Sequence, residues 1–199
     1  LRGVYPQILE HEKYGEQART IFSEAKVLLD EIIQKKLLKA RGVYGFFPAN
    51  AIGDDVELYA DPSRTKVHSR FHFLRQQTEK KEKSEPHRSL GDFIAPKRTG
   101  LPDHIGAFAV STGFGLKELC DAYRARQDDY SAIMAEAIAD RLAEAFAEYL
   151  HEKVRNEWGY GKNESFTPAD LIAEKYRGIR PAAGYPACPD HTEKGDLWK

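Results

Sequence analysis

The loop from Arg180 to Tyr185 carries the side chains of this sequence that are best suited to binding a small ligand. A guanidinium offers a planar fork of donors for a carboxylate, glycine lets a backbone approach a ligand, and tyrosine presents a flat aromatic face. Arg180, Gly184 and Tyr185 therefore suit a zwitterionic ligand that carries a purine. In the alternative interpretation, Arg180 pairs with an acid on a long helix and Tyr185 packs on the core. Spacing alone favours this alternative, because structural ion pairs often imitate binding sites.

Glu144 is a second candidate for a ligand contact. It lies on the polar flank of a predicted long helix between Ala143 and Ala145, whose small side chains leave room for a ligand. A solvated helix face explains a glutamate at this position equally well.

Cys188 and His191 look like half of a zinc site, since thiolate and imidazole are both good zinc ligands. A structural zinc ion needs four ligands, and the only other cysteine, Cys120, is far away in the sequence. In the simpler interpretation, Cys188 is a small buried apolar side chain. A metal-dependent enzyme built on Cys188 and His191 remains open as one functional hypothesis.

The remaining histidines and the glycine-rich segments give no strong catalytic pattern. His68 and His72 have the spacing of helical metal ligands but adjoin a strand-like segment, and His151 is predicted to be a surface or cap residue of the long helix. No glycine-rich stretch follows a strand, opens a helix and carries Lys-Ser/Thr, and no serine occupies a glycine-flanked nucleophile turn. An enzyme of nucleoside triphosphates and a serine nucleophile are therefore not supported.

Charge and composition exclude several classes of protein. The 30 Lys and Arg against 31 Asp and Glu leave a net charge of −1, so no field of one sign attracts nucleic acid or an anionic membrane. Two cysteines in 199 residues favour a reducing compartment, and we expect a cytoplasmic protein. No apolar run approaches the ~20 residues of a membrane span, which predicts a soluble chain. The ends at Leu1 and Lys199 show no initiator Met and no cap signal, so we expect one domain over 1–199, incomplete at both ends.

The first half of the sequence predicts a helix followed by strands. Apolar residues recur with helical spacing over 15–38, and strand-like segments cover 41–48 and 56–59, which we expect to form a hairpin with a long loop. The polar run 78–88 is predicted to be a solvated loop, because it has little apolar surface to bury. The continuous apolar run 105–110 predicts a buried central strand.

The second half is dominated by a long amphipathic pattern that begins near Asp128 and Asp129 and runs to about Trp158. Its apolar stripe, which includes Ile133, Ile138, Phe146, Tyr149 and Val154, is predicted to face the core. Because the helices and strands do not alternate regularly, the fold class is predicted to be α+β rather than a doubly wound sheet.

A shorter helix is predicted after the long one. Thr167 is its expected N-cap, Pro168 its first residue, and Gly178 lies just past its expected end. Three prolines and a glycine within 179–191 then predict an irregular loop.

Several ordered segments together resemble one known family, the activation domains of cobalamin-dependent methionine synthase. The segments that carry the resemblance are 41–50, 53–59, 74–80, 92–96, 105–110, 139–151 and 178–194. They cover nearly the whole chain, and so many segments in one order do not coincide by chance.

The resemblance implies a site for S-adenosylmethionine. The Arg-x-x-x-Gly-Tyr motif of the family falls on Arg180, Gly184 and Tyr185, within an extended loop that also contains Pro181 and Ala182. The acidic contact from the long helix of the family falls on Glu144. No catalytic residue is assigned to this chain.

The resemblance also implies the fold, the reaction and the partners. The fold would be a bent α+β domain with a central twisted, largely antiparallel sheet flanked by long helices. The domain would present S-adenosylmethionine for reductive methylation of cob(II)alamin, with the cobalamin bound by a neighbouring module of the same methyltransferase. The electron would come from flavodoxin or a related flavoprotein. No nucleic acid or membrane partner is implied.

Two departures from the family bear on binding. An aspartate before the matched region and an aromatic contact beyond the Thr-Glu-Lys segment at 192–194 lie outside this chain, so the site would lack both ends. Ala183 stands where many relatives have proline, which should loosen the loop slightly. The alternative function is therefore a docking module for the cobalamin domain and a flavoprotein that does not bind S-adenosylmethionine productively.

Overall fold

The computed structural model describes residues 5–80, 82 and 84–198, which form an α+β fold as predicted. The helices are α1 (Gly15–Lys35), α2 (Leu116–Arg124), α3 (Asp129–Trp158), α4 (Pro168–Ile172) and α5 (Lys194–Leu197), and the strands are β1 (Lys39–Ile52), β2 (Asp55–Tyr59), β3 (Val67–His72) and β4 (Asp103–Phe114). Short 3-10 turns occupy Gln7–Glu10, Leu90–Phe93 and Lys97–Thr99. Some residues named in the predictions lie outside the described residues. These are Leu1 and Lys199 at the predicted limits of the domain and Lys81 and Lys83 in the polar run. None of the helices described is long and apolar enough to cross a membrane.

The four strands form one sheet in the order β3-β2-β1-β4. β1 and β2 are antiparallel, with Ile52 opposite Asp55, so the hairpin closes through a two-residue turn. Gly53 allows this turn, because its φ of +63° lies in the left-handed region. The expected long hairpin loop is therefore wrong. The strand passes through Pro48, which is tolerated because the pairing with β2 begins only at the next residue.

β4 lies at an edge of this sheet, so the prediction of a buried central strand at 105–110 is wrong. Most residues of the strand are half-buried or exposed. The apolar run misleads because aromatic side chains cover it from one side: a Cβ on Gly106 would lie 2.9 Å from the Trp158 ring, and Phe108 stacks on His151. A run of small apolar residues suits such a covered edge as well as a central strand.

The chain divides into two compact units, and α3, β1 and β4 contribute residues to both. The first unit contains the described residues up to Gly42 together with Val110–Leu150. Its core is formed where α1, α2 and α3 supply the buried side chains of Leu28, Ile32, Cys120, Tyr123, Ala132, Ala135 and Ile138. The second unit contains Val43–Ala109 and His151–Lys199. Its core is the sheet cluster of Ala49, Ala51, Val56, Leu58, Phe71, Phe73 and Cys188.

α3 begins and ends where the sequence predicts, but its apolar stripe is only partly buried. Its buried residues include Ile138 and Val154 of the predicted stripe together with Ala132, Ala135 and Ala139, whereas Ile133 and Tyr149 are exposed and Phe146 is half-buried. Small side chains let neighbouring elements come close, so some of the large apolar residues lie beside the contact. The prediction is therefore confirmed for Ile138 and Val154 and wrong for Ile133 and Tyr149.

The helix after α3 has the predicted beginning and a different end. The Thr167 hydroxyl accepts a hydrogen bond from the Asp170 N–H, and the Asp170 carboxylate accepts one from the Thr167 N–H, which is a capping box. The helix then ends at Ile172, six residues before Gly178, so the predicted C-terminal limit is wrong. Glu174 takes a left-handed φ of 52° and turns the chain away earlier than the glycine signal indicates.

We expect the sheet cluster to dominate the stability of the second unit. Leu58→Ala should lower the free energy of unfolding by about 2–5 kcal/mol, because it removes buried methyl groups and leaves a cavity. Ile172→Ala is the matched control, since this side chain is 83% exposed and its loss should cost no more than about 0.5 kcal/mol. Urea unfolding followed by circular dichroism measures both values. Equal losses would contradict the assignment of this core.

Candidate ligand-binding site

The loop predicted to bind a ligand is held by three main-chain hydrogen bonds. The Tyr185 N–H donates to the Ala182 carbonyl at 3.0 Å, and the Cys188 N–H donates to the Tyr185 carbonyl at 2.9 Å. The Gly184 N–H donates to the Cys188 carbonyl at 2.8 Å, which closes the segment on itself. The loop contains neither helix nor regular strand, as its prolines predict, yet two successive tight turns give it one defined shape.

Cys188 anchors this loop in the sheet core of the second unit. Its side chain is buried within that cluster, and Ala183 packs against the same cluster. The Leu90 N–H donates to the Ala187 carbonyl at 3.2 Å and fixes the far side of the loop. Burial raises the pKa of the Cys188 thiol, which keeps it protonated and unreactive. The interpretation of Cys188 as a buried apolar side chain is confirmed.

The residues described contain no group of three or more His, Cys, Asp or Glu side chains that could hold a metal ion. His191 Nδ1 lies 3.3 Å from Lys194 Nζ, a partner that competes with a metal for this nitrogen. His68 and His72 both lie on β3. The structure therefore gives the metal-enzyme hypothesis no support.

Gly184 is favoured by its conformation, and the exposed His191 ring packs against it. Its φ of +104° lies in the left-handed region that favours glycine, and a Cβ at this position would lie 2.3 Å from Cε1 of His191. The imidazole of His191 therefore packs directly against the Gly184 backbone. This contact gives the glycine of the motif a structural reason, beside the close approach of a ligand that the sequence suggests.

The side chains of the motif differ in exposure. The Tyr185 ring is 56% exposed, so the alternative in which it packs on the core is wrong. Arg180 and Pro181 are half-buried, and Ala182 is exposed while its carbonyl closes the turn below Tyr185. An exposed aromatic face on a fixed loop can stack on a planar ring of a ligand. The ligand contacts of these residues stay predictions.

Glu144 lies on α3 within the first unit and is exposed. The binding loop belongs to the second unit. The role of Glu144 as the acidic contact stays a prediction.

The structure also shows a buried polar cluster that the sequence analysis missed. His151 is only 5% exposed, so its prediction as a surface or cap residue is wrong. Its Nδ1 lies 2.8 Å from Nη1 of Arg155, and its ring meets the Tyr176 ring edge to face at 4.9 Å. Burial, helped by the positive charges of Arg155 and Arg180, lowers the pKa of His151 to about 3. The imidazole is therefore neutral at physiological pH.

Arg155 is the central member of this cluster and is fully buried. Its Nε donates to the Glu164 carboxylate at 2.8 Å, and its guanidinium lies 4.4 Å from the centre of the Tyr176 ring. The sequence contains a signal for this burial. His151 and Arg155 are four residues apart, beside the apolar Leu150 and Val154, so all four lie on one face of α3.

Two comparisons with known proteins cover the whole chain. A family model described as vitamin B12 dependent methionine synthase, activation domain, matches residues 1–199. The chain is also similar to a crystal structure of the MetH reactivation domain bound to AdoHcy, with 54% sequence identity and a TM-score of 0.90. This match covers 100% of the present chain and 61% of the solved one, so the chain spans less than two thirds of that protein's length.

The contact between Gly184 and His191 predicts a specific coupling. Gly184→Ala should be slightly more destabilising than Gly100→Ala, because the exposed His191 ring must move aside at Gly184, whereas Gly100 also has a positive φ, of +70°, and nothing lies within 4 Å of its Cβ position. The backbone strain alone costs roughly 1–2 kcal/mol. Adding His191→Ala to Gly184→Ala should restore the part of the stability loss that exceeds the loss in Gly100→Ala. Urea unfolding of the single and double variants measures the coupling, and additive effects would show that His191 does not restrict this position.

The lowered pKa of His151 predicts an acid-sensitive contribution to stability. In the folded protein the His151 imidazole stays neutral down to about pH 3, whereas in the unfolded chain it takes up a proton below about pH 6.5. The free energy of unfolding therefore has its full value, as far as His151 is concerned, above pH 6.5. It decreases as the pH falls towards 3, by at most about 1.4 kcal/mol per pH unit. His151→Asn should flatten the pH dependence of unfolding between pH 6 and 4.5. His68→Asn, at an exposed position on β3, is the control. An unchanged slope in His151→Asn would contradict the assignment.

Proposed function

The chain belongs to the family of vitamin B12-dependent methionine synthase activation domains, and from this premise we propose that it binds S-adenosylmethionine and supports reductive methylation of cobalamin. One observation carries the proposal. A relative that is 54% identical over the whole of this chain is a reactivation domain bound to AdoHcy, which is S-adenosylmethionine without its transferable methyl group. A site that holds one of these molecules has most of the contacts needed for the other.

In this proposal the loop from Arg180 to Tyr185 holds the ligand. The Arg180 guanidinium donates to the ligand carboxylate as a charge-assisted pair, and the exposed Tyr185 ring stacks on the adenine. Pro181, Ala182 and Gly184 supply the main chain between these two side chains. The tight turns and the buried Cys188 support the proposal, because a loop that already has its shape loses little entropy on binding.

The role of the chain is to bind and orient the ligand. S-adenosylmethionine supplies a methyl group that is activated by the positive charge on its sulfur. The residues of the loop need move no proton for such a transfer. The methyl acceptor would be a corrin held by a neighbouring cobalamin-binding domain of the same enzyme.

The same premise leads us to propose the partners and the compartment. The cobalamin domain would dock reversibly, since an acceptor that also serves the main methyl transfer must be able to leave again. A flavoprotein such as flavodoxin would supply the electron. We place these events in the cytoplasm. The alternative of a docking module that does not bind S-adenosylmethionine is less favoured, because the relative that matches the whole chain has AdoHcy bound.

Arg180→Ala tests the assignment of the carboxylate contact. Losing a charge-assisted pair in a half-buried site should weaken AdoHcy binding by about a hundredfold, which corresponds to roughly 2–3 kcal/mol. Isothermal titration calorimetry on the full chain measures the affinity. Arg177→Ala is the matched control, because this nearby arginine is exposed and its guanidinium lies over the Tyr160 ring. Its affinity should stay within about twofold of the unsubstituted chain.

Two results would contradict the assignment. Equal losses in Arg180→Ala and Arg177→Ala would show that overall charge and not a specific contact binds the ligand. No detectable binding of AdoHcy or S-adenosylmethionine by the unsubstituted chain would favour the docking module.

A further inference from the structure

The buried cluster on the last turns of α3 lies at the start of the binding loop. Tyr176 is 6% exposed and is only four residues before Arg180. One face of its ring receives the Arg155 guanidinium at 4.4 Å, and the His151 ring meets it at 4.9 Å with an angle of 82° between the ring planes. Two side chains of one helix therefore hold the Tyr176 ring in position.

The hydrogen bonds within the cluster fix the orientation of both helical side chains. Arginine is always a donor, so His151 Nδ1 must accept from Arg155 Nη1, and the neutral imidazole carries its proton on Nε2. Glu164 accepts from Nε on the other side of the guanidinium. Nη2 has no hydrogen-bond partner among the described residues, and the guanidinium carbon lies 4.4 Å from the centre of the Tyr176 ring, where a cation and a ring attract each other. A guanidinium fixed in this way can hold a ring that packs on it.

The segment between Tyr176 and Gly184 has little regular structure to hold it. It contains neither helix nor strand, and Gly178 within it has a φ of +96°. Its far end is anchored by Cys188 and by the contact of Gly184 with His191. Arg180 lies midway between these anchors, close enough for its charge to act on His151. Holding Tyr176 therefore fixes the main chain four residues before Arg180.

We propose that Arg155 and Tyr176 are positioning residues for the ligand, because their stack fixes the near end of the loop and thereby the place of the Arg180 guanidinium. The inference rests on the proposed function and adds two residues to it. Neither residue touches the ligand. They act on the conformational entropy that the loop loses on binding. This loss is smaller when the loop already has its bound shape.

Tyr176→Leu and Tyr176→Phe test this inference by calorimetry with AdoHcy on the full chain. Tyr176→Leu removes the aromatic face and should weaken binding about tenfold, whereas Tyr176→Phe keeps the ring and should bind within about twofold of the unsubstituted chain. Tyr59→Leu is the matched control, because Tyr59 is also buried and has Arg64 and Lys97 over its ring, but it lies in the sheet. Its affinity should also stay within about twofold.

A second variant covers the case in which Tyr176→Leu does not fold. Arg155→Lys keeps a positive charge for Glu164 but loses the planar stack on Tyr176, and it should also weaken binding severalfold. Wild-type affinity in whichever of these two variants folds would overturn the inference, and so would an equal loss in Tyr59→Leu. If the unsubstituted chain itself fails to bind AdoHcy, the proposed function fails, and this inference fails with it. If the unsubstituted chain and both variants bind AdoHcy equally well, the proposed function stands and only this inference fails.

Discussion

The end of α3 and the chain that follows it depend on one buried charge, the guanidinium of Arg155. A buried ion is costly unless it is paired and hydrogen-bonded, and Arg155 receives the Glu164 carboxylate, the His151 imidazole and the Tyr176 ring as partners. These partners come from α3 itself and from the chain that follows it. The carbonyl of Arg155 also accepts hydrogen bonds from the N–H groups of Gly159 and Gly161, so the end of α3 and the reversal of the chain form at the same residue.

This arrangement connects stability with binding. The chain that leaves Tyr176 passes Arg180 and enters two tight turns that end at Cys188 in the sheet core. One end of the loop is therefore fixed by a polar cluster and the other end by apolar burial, while the Tyr185 ring between them remains exposed. Such a loop can keep its shape without the ligand and still present contact groups to it. The His191 ring packs against Gly184 and adds one more contact to this part of the loop.

Local signals in the sequence predict the elements that depend on local interactions. The start of α1 at Gly15, the full length of α3 and the Thr167 cap follow from helical periodicity and from capping chemistry. The resemblance of ordered segments gives the family, which the comparison with known proteins confirms.

The predictions from the sequence are wrong where contacts between distant residues decide the structure. Pro48 does not end its strand, the run at 105–110 lies at a sheet edge, and His151 is buried because distant residues cover it. Arg155 resembles a surface residue by its charge, and only its spacing from His151, beside Leu150 and Val154, indicates that it is buried. The residue assignments at the ligand site remain predictions.

A crystal structure of this chain grown with AdoHcy would show whether the loop from Arg180 to Tyr185 holds the ligand. We expect adenine stacked on the Tyr185 ring and the ligand carboxylate within hydrogen-bond distance of the Arg180 guanidinium, with Tyr176 still packed on Arg155. Density for AdoHcy away from this loop, or a ligand whose carboxylate is not bound by Arg180, would contradict the proposed site.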